Sequence, residues 1–345
     1  MPNYEQLSLF PPLEKEKQQD LGKAEISEST RISEKILNGF TVISIPFIEC
    51  DFNDVYPILA KIIPKEQTVF DDLPFQTAII AEMVCASICH QINWDFLRSA
   101  VRTKTNISTN WLSPEYLAAI SASEVYEMLS SYSKLERIRE NERSRILQDL
   151  GLWLGNYNSA DQVFLDSDGL LLERDVVRSN LLKCNVFSSD PEEKKMQLLL
   201  QKLSSFDRLE GLSNYYQPAI DYHLVRVYLR RGLLIAKNKY AIDFVDNFDV
   251  ARKESTVAAI RQLCSYLLLE ISEYTRLNTG IVNQIEWQIG RSVCIQGNPD
   301  CFLLSQEAQW VRKRFNVCPF FNTCVARCNE KYRNLNEPTY KGMSY

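Results

Sequence analysis

Glycine is scarce in this chain: only 11 of its 345 residues are glycine, about half the share that is usual in soluble proteins. No G-x-x-x-x-G-K segment and no G-x-G-x-x-G segment occurs. Those loops need glycine where the backbone approaches a phosphate, so their absence excludes a P-loop or Rossmann nucleotide site. Only two histidines are present, His90 and His223, and neither sits in a metal-ligand pattern.

Long apolar runs are missing as well. The N-terminal segment MPNYEQLSLF also lacks the basic and apolar regions of a secretory signal. We therefore expect a cytoplasmic protein with no membrane partner. The formal net charge of -5 argues against binding of nucleic acid over the whole surface. A nucleic-acid site would have to be a local basic patch, and residues 291–345 hold eight lysines and arginines against four acids.

Helical periodicity dominates from Phe75 onward, because apolar residues recur at three- and four-residue spacing. Ser113 before Pro114, and Ser121 three residues before Glu124, are typical helix starts. Asparagine, serine and aspartate in 156–191 indicate an irregular segment, and 41–48 is a short strand or an extended segment. The sequence predicts a mainly α protein with further helical stretches at 135–154, 193–205, 219–234, 250–276 and 280–293.

Residues 1–40 are polar and are predicted to form a flexible tail. The tail contains an apolar pentapeptide made of Gln6, Leu7, Ser8, Leu9 and Phe10. It resembles the QL[SD]LF motif with which bacterial repair proteins bind the replicative sliding clamp, which implies that clamp as a partner. The alternative is that these side chains pack onto their own domain.

Five of the ten cysteines crowd the C-terminal region in the pattern Cys294-x6-Cys301-x16-Cys318-x5-Cys324, with Cys328 following. In a reducing compartment such a group indicates metal binding rather than disulfides. Four thiolates can hold a [4Fe–4S] cluster or a zinc ion, and the spacing alone does not separate the two. Unligated cysteines are the third alternative.

Three blocks of the sequence resemble one enzyme family. IEWQIGRSVCIQGNPDC followed by CPFFNTC is similar to the iron–sulfur loop of endonuclease III and the adenine glycosylases, whose pattern is C-x6-C-x2-C-x5-C. AIDYHLVRVYLRRGLL resembles the family's VDTHVxRVxxRLGL segment, and PFQTAIIAEMVCASICHQ resembles its PFELLIAxxLSxQTxD helix. The blocks appear in the order of the helix-hairpin-helix-GPD glycosylases.

This resemblance implies a two-domain helical glycosylase fold with a C-terminal [4Fe–4S] cluster loop. Residues 75–215 would form a barrel-like helical domain, and 41–74 with 216–345 would form the iron–sulfur domain. The implied cluster ligands are Cys294, Cys301, Cys318 and Cys324, with Cys328 spare or in place of one of them.

The resemblance also implies the site. Asp221 matches the family's catalytic carboxylate, and Gln91 matches a glutamine that fills the gap left by a flipped base. Arg226 and Arg230 are one helical turn apart and are predicted to contact DNA phosphates, and Tyr222 to stack on a base or ribose. An aspartate that opens a helix is also a common cap, and this role is compatible with catalysis.

One part of the family pattern is missing. The L-P-G-V-G-x-K-T-A hairpin, whose backbone amides hold a DNA phosphate, is replaced by MQLLLQKLSSFDRLEGLSNYYQPAID. Gly211 is a possible remnant of this hairpin. Family members with lyase activity carry a lysine there. Lys202 lies near the expected separation from Asp221 but in no recognisable motif, which favours a monofunctional enzyme.

Three hypotheses follow. The first is a DNA glycosylase that removes a damaged or modified base. The second is an N-glycosidase acting on a free nucleoside or an RNA-derived nucleotide, which the missing hairpin and the acidic charge favour. The third is a non-enzymatic iron–sulfur DNA-binding module in which Asp221 is only a cap.

Overall fold

The computed structural model describes residues 40–42, 54–64, 69–190, 192–239, 254–297, 299 and 301–335. This part of the chain is mainly helical, which confirms the prediction of a mainly α protein. The clamp-like pentapeptide lies outside the described residues. No helix in the described ranges combines the length and the apolar character needed to cross a membrane.

A first hydrophobic cluster contains buried residues between Phe70 and Leu212. Its helices are α2 (Phe75–Ile88), α3 (Trp94–Ile107), α4 (Pro114–Ala119), α5 (Ala122–Leu129), α6 (Glu140–Leu154), α7 (Arg174–Leu182), α8 (Asn185–Ser188) and α9 (Lys194–Leu203). A 3-10 helix over Asp207–Asn214 ends this part.

A second hydrophobic cluster joins residues 55–59 to residues 220–335. Its helices are α1 (Tyr56–Ile62), α10 (Tyr222–Arg231), α11 (Glu254–Thr275), α12 (Thr279–Ser292), α13 (Gln309–Arg312) and α14 (Glu330–Arg333). Strand β1 (Phe40–Val42) pairs antiparallel with β2 (Leu234–Ala236), with Thr41 opposite Ile235. The chain thus leaves the second cluster, builds the first, and returns. This order parallels the predicted division of the chain. Phe70 is an exception, because it packs in the first cluster although it lies within the predicted segment 41–74 of the other domain. The two domains stay a prediction.

Local sequence signals explain several helix starts. The Ser113 side chain accepts a hydrogen bond from the Tyr116 amide at 3.2 Å. Ser121 and Glu124 form the predicted capping box, in which each side chain binds the other residue's amide. Gly151 allows α4 to pack directly on α6, because an added Cβ would lie 2.3 Å from the Ala118 nitrogen.

The structure differs from the predicted elements in three places. The stretch 135–154 is interrupted at Arg139, whose φ of 48° is left-handed, so α6 begins only at Glu140. The segment 156–191 is not wholly irregular, since it contains α7 and α8, with Val177 and Leu181 buried one turn apart on α7. The predicted helical stretch 219–234 is helical only over Tyr222–Arg231, and strand β2 begins at Leu234 and pairs with the distant β1, where no turn signal exists to predict the pairing.

Candidate functional site

A cleft of about 1010 Å³ is lined by residues of both hydrophobic clusters. The first cluster contributes the turn between α2 and α3, the start of α3, and one side of α9. The second contributes the start of α10, one face of α12, and two residues from the cysteine region, Glu307 and Trp310. Asp221, Gln91 and Tyr222, three of the predicted site residues, all line this cleft.

Asp221 is the N-cap of α10. Its Oδ1 accepts hydrogen bonds from the backbone amides of His223 at 2.8 Å and Leu224 at 3.1 Å. These bonds satisfy two amides at the helix start and fix the carboxylate at the N-terminal end of the helix. Both bonds use the same oxygen, and none of the described residues donates to Oδ2. The cap role and an exposed carboxylate oxygen are therefore compatible at this position.

His223 follows Asp221 in the wall of the cleft. Its Nδ1 lies 2.9 Å from Arg226 Nη2. Because a guanidinium can only donate, Nδ1 accepts, and a neutral His223 carries its proton on Nε2. Gly290 of α12 packs against this residue: an added Cβ would lie 2.9 Å from His223 Cβ. The missing side chain at Gly290 thus lets α12 approach the start of α10.

Tyr222 is half-buried at the first position of α10, where its ring lies 4.3 Å from that of His223. Gln91 lies on the opposite wall, in the turn between α2 and α3. Its φ of 55° is left-handed, a conformation that costs energy for any residue with a Cβ.

The buried Arg143 of α6 holds the Gln91 turn. Its Nε donates to Ile88 O at 3.2 Å, and its Nη2 donates to His90 O. Ile88 is the last residue of α2 and His90 directly precedes Gln91, so Arg143 fixes the backbone that presents Gln91 to the cleft. The neighbouring His90 is also buried, and burial lowers its pKa to about 4, which keeps it neutral near pH 7.

Lys202 of α9 lines the same cleft as Asp221. Its side chain is buried, and this burial lowers the pKa of its amine to about 7. Its Nζ lies 5.4 Å from the centre of the Trp94 ring, within the range of a cation–π contact. A large part of Lys202 is therefore neutral near pH 7, which is the nucleophilic form of a lysine.

Six lysines and arginines line the cleft, against three acids. The basic residues are Arg98, Arg102, Arg137, Lys194, Lys202 and Arg291, and the acids are Asp95, Asp221 and Glu307. Three of the arginines pair with carboxylates, since Arg98 binds Glu82, Arg102 binds Asp72 and Arg291 binds Asp95. These pairs offset half of the basic residues, and Lys202 is largely neutral near pH 7, so the lysines and arginines give the cleft little net positive charge.

The four cysteines predicted as ligands line one narrow cavity beside α10. Cys294, Cys301 and Cys318 are buried and Cys324 is half-buried, whereas Cys328 is exposed and lies outside the cavity. Burial raises the pKa of the Cys301 thiol to about 12 and raises that of Cys318 as well. Within the described ranges, no three His, Cys, Asp or Glu side chains are grouped so as to hold a metal ion.

Arg226 and Arg230 are buried and bind the cysteine loop. Arg226 donates to Cys294 O at 2.9 Å and to Gly290 O at 2.6 Å. Arg230 donates to Ile295 O at 2.6 Å, and its Nη1 lies 3.7 Å from Cys294 Sγ. Neither guanidinium reaches the surface that the predicted phosphate contact requires, so the structure gives both arginines a different role. They fasten the cysteine loop to α10.

Arg231 completes this attachment. It donates to Glu286 Oε1 at 2.8 Å, and its guanidinium lies 3.6 Å from the ring centre of Phe320, between Cys318 and Cys324. Gly232 ends α10 with a φ of 78°, and an added Cβ would lie 2.3 Å from Val325 Cγ2. One helix thus carries Asp221 at its start and the cysteine loop along the rest of its length.

The turn between α9 and the 3-10 helix, where the missing hairpin would lie, does not supply its phosphate-binding amides. The amides of Ser204, Ser205 and Phe206, which connect α9 to the 3-10 helix, donate to carbonyls of residues 200–203 within the same turn. They are not available to a phosphate. A Cβ added at Gly211 would lie 2.7 Å from Leu171 Cδ2, so this glycine makes room for the Leu171 side chain. The suggested remnant is therefore a packing position.

Sequence reasoning missed four residues that contribute to the site. Arg143 is distant from Gln91 in sequence, and no local motif connects them. Gly290 looks like an ordinary helical glycine until α10 packs against it. Glu307 and Trp310 lie in the x16 segment between Cys301 and Cys318. The family pattern has only two residues there, and this expansion was the one signal that the segment has a structure of its own.

Comparison of the chain with protein-family models and with curated proteins finds no significant match to either.

Proposed function

We propose that this protein is a base-excision DNA glycosylase that cleaves the N-glycosidic bond of a damaged or modified base, with Asp221 as the catalytic carboxylate. The observation that supports it is the meeting of Asp221, Gln91 and Tyr222 in one cleft. They belong to sequence blocks some 130 residues apart, each of which separately resembles the same family. The direct test is release of free base from duplexes that each carry one modified base.

The chemistry requires a negative charge near the sugar. As the base departs, positive charge builds on the deoxyribose, and a fixed carboxylate stabilises this oxocarbenium-like state. Asp221 is held through Oδ1 by two backbone amides. Oδ2 would orient or deprotonate the attacking water, and Tyr222 beside it would stack on the sugar or base.

A stacked base must leave the duplex before this carboxylate can act, at a cost of a few kcal/mol. Gln91 would fill the gap that the base leaves. Its fixed backbone supports this role, because the Arg143 contacts to Ile88 O and His90 O hold the turn before any substrate binds. A preordered side chain loses less conformational freedom on binding.

A [4Fe–4S] cluster fits the donor set of the cysteine cavity. Cys294, Cys301, Cys318 and Cys324 would hold it, since all four line the same cavity and Cys328 does not. Each thiolate of such a cluster binds a different iron, so the four sulfurs need not converge on one point as they do around zinc. The cluster's part would be structural: it would fix the loop that Arg226, Arg230 and Arg231 fasten to α10.

A lyase is the second candidate function, and Lys202 favours it. A neutral lysine amine can attack C1′ of the damaged nucleotide and displace the base, which leaves an iminium linked to the opened sugar. The burial of Lys202 and its position in the Asp221 cleft suit this step. Its place outside any hairpin motif is the reason that we prefer the monofunctional enzyme.

Borohydride trapping separates the two reactions. A monofunctional enzyme gives no protein–DNA adduct, and Lys202→Ala keeps base release. A lyase gives an adduct that is lost in Lys202→Ala but persists in Lys194→Ala, a control residue that also lines the cleft. The adduct yield should then rise as the pH rises through about 7, because only the neutral amine attacks. An adduct with these properties would overturn the monofunctional assignment.

The nucleoside alternative is favoured by the same missing hairpin. Duplex binding distinguishes it, because an enzyme that contacts several phosphates releases counterions and loses affinity steeply with salt. A nucleoside hydrolase would release base from free nucleosides and show no salt-dependent duplex binding.

The N-terminal pentapeptide is proposed to bind a bacterial sliding clamp. Replacing Leu9 and Phe10 by alanine should abolish clamp binding, because these side chains supply the apolar contacts of a short linear motif. Base release from short oligonucleotides should not change. Titration of the full chain against the clamp measures the first effect. Retained binding, or loss of folding in the double variant, would show that the segment has another role.

A further inference from the structure

The segment 302–317 between Cys301 and Cys318 forms a closed excursion, which we term the flap. Its two ends meet, because the Cys318 amide donates to Cys301 O at 3.1 Å. Its interior is anchored in the second hydrophobic cluster through Leu304, Ala308, Trp310 and Val311. Trp310 Nε1 also donates to Ser292 Oγ at the end of α12, at 2.9 Å. The flap is therefore an ordered part of the fold.

The flap carries two kinds of exposed side chain, apolar and basic. Phe302 is 57% exposed and Leu303 is 80% exposed, so two large apolar side chains face solvent next to each other. Arg312, Lys313 and Arg314 form an exposed basic run on the same segment. The Phe302 ring contacts the Phe321 ring at 5.1 Å. Exposed aromatic and basic residues together are typical of nucleic-acid surfaces.

The flap also borders the cleft that contains Asp221. Glu307 and Trp310 are flap residues, and both line the cleft. A duplex with one nucleotide extruded into the cleft would therefore extend over the flap. Its phosphates would be complementary in charge to the basic run, and an apolar pair beside a flipped nucleotide can pack against the disturbed base step.

We propose that the flap is a duplex-DNA contact, in which Arg312, Lys313 and Arg314 bind backbone phosphates and Phe302 and Leu303 pack against the bases beside the extruded nucleotide. The inference rests on the proposed action on duplex DNA. It assigns the flap the phosphate contacts that the Ser204–Phe206 turn does not make.

The basic run is tested by a triple alanine variant of Arg312, Lys313 and Arg314. Each lost phosphate contact lowers the slope of log K against log salt by about 0.9, so the slope should fall by up to about 2.7 and duplex affinity should drop roughly tenfold or more at 0.1 M salt. The matched control replaces Arg145, Arg174 and Lys183, which are exposed and lie outside the cleft. An equal effect of both triple variants would overturn the assignment.

The apolar pair is tested by replacing Phe302 and Leu303 with serine. Binding to a duplex with an abasic analogue should weaken about tenfold, with a smaller effect on an intact duplex, because only the first presents a disturbed base step. Iron content and circular dichroism verify that the variant folds. Unchanged binding to both duplexes would overturn the assignment of the pair to DNA. If the variant instead loses self-association, or loses binding to vesicles or to a protein, the pair belongs to that other partner.

These binding measurements do not depend on whether the protein releases a base. If no duplex releases a base while the flap variants lose duplex affinity selectively, the flap contact stands and the glycosylase proposal fails. If base release occurs while both flap variants bind like the wild type, the glycosylase proposal stands and the flap contact fails.

Discussion

Replacing Asp221 by asparagine is expected to lower the rate of base release at least a hundredfold with little change in melting temperature. Asparagine has nearly the same shape and still caps a helix, so the hydrogen bonds to the His223 and Leu224 amides survive. The negative charge next to the developing oxocarbenium is lost. Losing one preorganised electrostatic partner costs on the order of 10²–10³ in rate, and lost general-base assistance adds to it.

Asp221→Ala is the informative companion. It removes the cap as well as the charge, so it should lower the free energy of unfolding by about 1 kcal/mol. Single-turnover base release and thermal unfolding of both variants separate the two roles. Full activity in Asp221→Asn would leave Asp221 as a cap only. A large stability loss in Asp221→Asn, with a proportionate activity loss, would also favour the cap.

The proposed [4Fe–4S] cluster should make the purified protein brown, and replacing Cys318 by serine is expected to remove both the iron and this colour. Cys318 is buried in the cavity that the four proposed ligands share, and serine is a poor ligand for iron–sulfur clusters. The cysteine loop would lose the proposed cluster while keeping its hydrogen bonds to the arginines of α10. Loss of a metal centre is among the few single changes that cost more than about 4 kcal/mol, so melting should fall by about 10 °C or more.

Cys328→Ser is the matched control for this prediction. Cys328 is exposed and lies outside the cavity, so its replacement should leave iron, colour and melting temperature unchanged. Metal analysis and visible absorbance spectra of the two variants give the comparison. A colourless wild-type protein with one zinc per chain would contradict the cluster. Iron loss in Cys328→Ser with iron retained in Cys324→Ser would contradict the ligand set.

The sequence predicted those helix starts that depend on residues within one turn of each other. The capping box of Ser121 and Glu124 forms because both partners lie within one turn. Helices α11 and α12 have the apolar spacing that the sequence displays. Helix α7 was not predicted, because turn-forming residues on either side conceal its buried pair Val177 and Leu181.

Packing decides the rest of the candidate site, and packing is not visible in one sequence. The spacing of Arg226 and Arg230 correctly places them on one helix face, but it does not reveal that this face is buried against the cysteine loop. The left-handed φ of Gln91 depends on Arg143, which lies far away in the chain. Burial lowers the pKa of Lys202, and burial emerges only when α9 closes against Trp94.

The measurement that tests the proposed activity most directly is quantification of free base released from a panel of modified bases, each presented in a duplex, in a single strand and as a free nucleoside. Wild-type and Asp221→Asn protein with equal iron content are compared on every substrate. We predict that wild-type protein releases at least one modified base from the duplex and none from nucleosides, and that the variant is at least a hundredfold slower. No base release from any duplex by iron-loaded wild-type protein, or equal rates for the two proteins, would contradict the assignment of Asp221 as the catalytic residue of a DNA glycosylase.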